Sequence, residues 1–149
     1  MFDQIKSLFG LATDVTSEKP PLDKRLAAAA LMVQVMAADG KIRPEEEEKL
    51  HAVLNEHYAV NKEDAKKLEK AAREAQGEAV DLYGFTSVLK REMDMTERLA
   101  LVEDLWEMVY ADGELHEFED NIVWRVAELI GIQSRERMEL KQRVLARQS

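Results

Sequence analysis

The chain has 149 residues, 46% hydrophobic and 34% charged, which fits one domain with a real core and excludes a disordered chain. Its formal net charge of −9 argues against sequence-independent nucleic-acid binding, which needs Lys and Arg to neutralise phosphates, and favours cations or basic surfaces. With no cysteine, disulfides and thiolate metal sites are both excluded, as fits a cytoplasmic protein.

Residues 1–9 place Phe2, Ile5, Leu8 and Phe9 at the spacing of a short amphipathic helix and lack the apolar run of a signal peptide. Two readings of it stand: docking onto the core, or an arm for a membrane surface or partner. Pro20-Pro21 and the polar residues before them read as a linker, so residues 1–21 stand apart from a helical domain over 22–149. A helix starts near residues 22–24 and runs to Ala38; its apolar stretch from Leu26 covers 13 residues. A membrane span needs about 17–25, so this is a buried central helix and the chain is not transmembrane.

Asp39-Gly40 ends that helix, and Pro44 with Glu45 to Glu48 opens the next, which buries Leu50, Val53, Leu54 and Tyr58. Asn61 caps a third helix that buries Ala65, Leu68, Ala72 and Ala75 and closes at Gly77. Asp81 caps a helix from Leu82 to Met93, and Thr96 opens a long one to Ala111. After Asp112-Gly113 comes a helix from Glu117 to Ile130, stopped by Gly131; Ser134 then caps Arg135 to Arg147. The fold class is all-α, with about seven helices and no strand.

One motif is written twice. Ala38-Asp39-Gly40-Lys41-Ile42 aligns without gaps on Ala111-Asp112-Gly113-Glu114-Leu115, and in the same register Glu46 meets Glu119 and Val53 meets Val126. Each copy is a helix–(Ala-Asp-Gly)–helix hairpin, and two such hairpins around one core, related by a pseudo-twofold, is the simplest arrangement. The spacing Asp-Gly-x-[Ile/Leu]-x-x-x-Glu matches the second half of an EF-hand loop. The first half does not match: Val35 and Ala37, then Met108 and Tyr110, stand where the first two ligands belong. A true EF-hand is therefore rejected.

Four acids remain at equivalent places: Asp39, Glu46, Asp112 and Glu119. In one reading each Asp closes its turn and each Glu bonds free backbone N–H groups of the first helical turn. In the other, the two turns meet and the four carboxylates converge on a hard divalent cation, Ca²⁺, Mg²⁺ or Mn²⁺. From Leu99 to Trp124 there is no Lys or Arg but eight acids: Glu103, Asp104, Glu107, Asp112, Glu114, Glu117, Glu119 and Asp120. That run predicts an acidic face able to attract a cation or a basic partner protein. The last helix carries Arg135, Arg137, Lys141, Arg143 and Arg147 and can pair with an acidic surface, its own or another's.

Little points to catalysis. His51 and His57 are six residues apart, the wrong spacing for one helix face, and His116 lies beside acids as a peripheral ligand or without a role. No phosphate-binding glycine loop, nucleophile elbow or His-Glu-x-x-His pattern occurs. The expectation is a non-enzymatic binding protein, with a metal-free interaction or co-chaperone-type module as the alternative and a metal-dependent hydrolase as a more remote one.

The doubled Ala-Asp-Gly-x-[Ile/Leu]-x-x-x-Glu motif, with Trp106-Glu107-Met108-Val109-Tyr110 before the second copy and Leu129-Ile130-Gly131-Ile132 after it, resembles the TerB-like (tellurite-resistance protein B) family over about residues 22–147. The resemblance implies a bacterial, cytoplasmic, all-helical stress-response protein linked to tellurite. It implies action through protein partners, a membrane protein at the inner leaflet among them, rather than through nucleic acid. On the family motif, Asp39, Glu46, Asp112 and Glu119 are the residues that metal binding would use.

Overall fold

The computed structural model describes residues 23–59, 61–76 and 82–148; the expected helix over residues 1–9, its linker, Gly77 and Asp81 lie outside them. The described residues form seven α-helices and no strand. They are α1 (Lys24–Met36), α2 (Pro44–Val53), α3 (Lys62–Gln76), α4 (Leu82–Glu92), α5 (Met95–Val109), α6 (Glu117–Leu129) and α7 (Ser134–Gln148).

Helix α1 is the hub. Leu26 to Val33, Val35 and Met36 are all buried, and the helix packs most extensively on α3 and α4 and also touches α2, α5 and α6. Its small central residues, Ala27 to Ala30, have no exposed surface and let those neighbours approach closely. Asp23 caps its start by accepting from the Leu26 N–H at 2.9 Å. The helix stops at Met36, two residues short of expectation, because the Ala38 N–H turns back to the Val35 carbonyl at 3.2 Å and tightens the exit.

Helix α5 begins at Met95 rather than Thr96, since the cap is Asp94. Its carboxylate accepts from the Glu97 N–H at 2.8 Å while Glu97 accepts from the Asp94 N–H at 3.1 Å, a reciprocal capping box. Asn61 caps α3 as expected, accepting from the Asp64 N–H at 2.9 Å. The sequence gives no sign that α2 runs on into a π-helical turn, Leu54–Tyr58. Here the Asn55 side chain donates to the His51 carbonyl at 2.9 Å, competing with the regular helical ladder. Gly131 ends α6 at φ +87°, with the Ile132 N–H bonded to the Ala127 carbonyl and the Gly131 N–H to the Glu128 carbonyl.

Helix α7 closes the molecule over α5 and α6. Leu140 and Val144 are buried, and Lys141 lies over the rings of Trp106 and Trp124 at 5.4 and 5.7 Å. Its basic residues meet the chain's own acids: Lys141 pairs with Asp120, Arg143 with Glu103, and Arg147 with Glu103 and Glu107.

Candidate metal centre

The two Ala-Asp-Gly turns have the same construction. Gly40 and Gly113 take φ of +81° and +79°, which only glycine adopts freely, and their N–H groups bond the Ala37 and Tyr110 carbonyls. Asp39 accepts from the Lys41 N–H and Asp112 from the Glu114 N–H, both at 3.0 Å, so each aspartate closes its turn as expected. The residue that enters each following helix, Arg43 before α2 and His116 before α6, makes no side-chain cap bond. Both side chains turn instead to the acids.

All four sequence-predicted acids come together, and what brings them together is Arg43. Its guanidinium lies 2.8 Å from Asp39, 3.3 Å from Glu119, 3.7 Å from Glu46 and 3.9 Å from Asp112. His116 completes the cluster, with Nε2 2.9 Å from the Asp112 carboxylate. The capping role expected of the glutamates is not what the structure shows. No N–H donates to either Glu46 oxygen or to Glu119 Oε1. Both side chains, at the third position of their helices, point inward to full burial, where they face each other rather than the free N–H groups.

This arrangement is electrostatically unbalanced. Burial pushes the Glu46 carboxyl above its usual range, and burial plus the adjacent Glu46 pushes Glu119 up to about 9. The pair therefore holds a proton where two carboxylates would repel. Asp39 is held below its usual value by its bond from Arg43, then by the Lys41 N–H. At Asp112 burial acts upward, but the Glu114 N–H and His116 outweigh it and the net shift is down. Beyond that proton, Glu46 and Glu119 Oε1 meet no N–H donor. An all-carboxylate donor set suits a hard cation such as Ca²⁺, Mg²⁺ or Mn²⁺, so these residues fit the ion that the resemblance implies. Arg43 must then yield; its side chain is 18% exposed and has a way out to solvent.

The profile of the family described as tellurite resistance protein TerB matches residues 25–142, most of the chain. The chain belongs to the TerB family. Among curated proteins none matches. The TerB chain is similar in structure to a crystal structure of a protein of unknown function from Porphyromonas gingivalis W83, with a TM-score of 0.62 and 17% identity over 85% of this chain and 97% of that one. That likeness speaks to the fold alone. Among the described residues no helix is long and apolar enough to cross a membrane.

The acids of the run from Leu99 to Trp124 divide among several partners within the chain. Asp104 meets His57 at 2.9 Å, Asp120 takes the Tyr110 hydroxyl at 2.6 Å and Lys141, and Glu103 and Glu107 bind α7. Only Asp112 and Glu119 of the run belong to the TerB centre. His51 and His57 go separate ways, to Glu69 and Asp104. Sequence reasoning missed Arg43, yet a signal was there: it stands in the same register of the repeat as His116, a basic residue entering each of the two helices.

Proposed function

We propose that this TerB-family domain is a non-enzymatic binding module whose centre, Asp39, Glu46, Asp112 and Glu119, takes a hard divalent cation. The observation that carries this reading is the fully buried Glu46–Glu119 carboxyl pair, set beside two aspartates around a single guanidinium. The test is thermal unfolding of metal-stripped protein with and without millimolar Ca²⁺, Mg²⁺ or Mn²⁺. A cation at 100 times its Kd adds about 2.7 kcal/mol to the folded state. The expected result is such a rise, absent in the Asp39→Asn/Asp112→Asn double variant. No shift with any of the three ions rejects the centre as a metal site.

A second reading, a basic partner protein seated on the same end, is favoured by a separate observation. Ile42 and Leu115, equivalent residues of the two turns, and Phe118 are exposed beside the acids. A partner that covers them would lose affinity on Leu115→Ser with Phe118→Ser while cation binding persists.

A further inference from the structure

A second cluster of metal-binding side chains lies outside the acidic centre, between α2 and α3. Glu47 and His51 are one helical turn apart on α2, and Glu69 reaches them from α3. One donor atom from each, two carboxylate oxygens and an imidazole nitrogen, all fall within 4.8 Å of one another. His51 Nε2 is 2.9 Å from Glu69 Oε1, and Arg73 bridges the two acids at 3.2 Å from Glu47 and 2.9 Å from Glu69. The trio already gathers a cation, as the first centre gathers Arg43.

Two further features set this place apart from an ordinary surface ion pair. A cavity of about 320 Å³ opens against His51 and Glu69, lined also by Leu54, Ala65 and the lysines Lys62 and Lys66, with room for water or another exchangeable ligand. The cavity wall includes Leu54 and Asn55 of the π-helical turn, a departure from α-helix of the kind often found at functional sites. We propose that Glu47, His51 and Glu69 form a second metal site, selective for a borderline transition ion of the Zn²⁺ class, with its remaining coordination open to the cavity. The imidazole sets the selectivity: Ca²⁺ and Mg²⁺ prefer oxygen alone, whereas one nitrogen and two carboxylates suit Zn²⁺, with three protein ligands and one open position. Arg73 would release both acids when the ion enters, and its side chain is 35% exposed. The site shares no residue with the acidic centre and stands or falls separately from it.

The chain has only three histidines, so their ring signals are separable by NMR. Zn²⁺ titrated into the full chain, with excess Mg²⁺ present to occupy hard oxygen sites, should shift the His51 ring resonances and saturate at one ion per chain. Glu47→Gln with Glu69→Gln should weaken that response by about tenfold or more. Both substitutions are at solvent-reachable positions, and a circular-dichroism melt verifies the fold. His51 signals unmoved by excess Zn²⁺ overturn the proposal. So does an unchanged response in the double variant, which would make His51 a lone surface imidazole.

Discussion

Arg43 is the residue on which the acidic centre turns. Its guanidinium is the positive charge nearest all four acids, and it makes one short contact, to Asp39, with longer ones to the buried glutamates. Arg43→Gln should therefore have two opposite effects. Without metal, urea unfolding should show a loss of about 1–3 kcal/mol, since buried acids lose their counter-charge. In calorimetric titration with Ca²⁺ or Mn²⁺, the variant should bind about tenfold more tightly, because no cation has to be displaced. Asp104 gives a cleaner pH prediction. Burial raises its carboxyl from 3.8 to about 6 despite the bond with His57. A raised folded-state value means stability that is fully present below 3.8 and is lost as pH rises through about 6. Asp104→Asn should abolish that loss, on the order of 2–3 kcal/mol between pH 4 and 7, as read by urea midpoints along a pH series.

At the scale of elements, local chemistry decides where helices begin and end. Gly40 has open space where a Cβ would sit, so Gly40→Ala isolates the strain of its positive φ and should cost about 1 kcal/mol in denaturant unfolding. Asp94→Ala should cost a similar ~1 kcal/mol by removing the cap of α5. Such signals lie within a few residues of each other, which is why the helices, the turn glycines and the Asn61 cap are legible in the sequence. The equivalence of Asp39 with Asp112 and of Glu46 with Glu119 is legible too, because a gapless repeat places like residues alike, but whether the two turns meet is not. What the sequence hides is pairing at a distance. His57 meets Asp104 across 47 residues and Arg43 meets Glu119 across 76, and no periodicity encodes either. The acidic run looked like one surface because sequence shows charge but not direction. On α5 and α6 those side chains point to α7, to His57 and to the centre in turn. The π-helical turn after α2 was hidden for a different reason, since a side chain competing for one carbonyl leaves no compositional trace.

For the molecule as a whole, α7 is the element that shows which force holds the bundle together. Its ion pairs look numerous, but Arg143 and Arg147 are 59% and 45% exposed, and pairs so open contribute little. Leu140 and Val144, by contrast, are buried, each stabilising by about 1.5–3 kcal/mol. Raising NaCl to about 1 M should thus leave the melting temperature nearly unchanged, whereas Leu140→Ala with Val144→Ala should lower stability by several kcal/mol in the same melts. The seating of α7 also has an optical consequence. The chain's two tryptophans both lie against it: Trp106 without a partner for its indole N–H, Trp124 beneath Arg137, and Lys141 over both rings. Intrinsic fluorescence is therefore a built-in gauge of one helix, with blue-shifted emission while α7 is seated and a red shift once it lifts. Far-ultraviolet ellipticity follows the helices of the chain together. Where the two traces coincide on heating, the last helix melts with the bundle; where the emission moves first, α7 peels away before the rest.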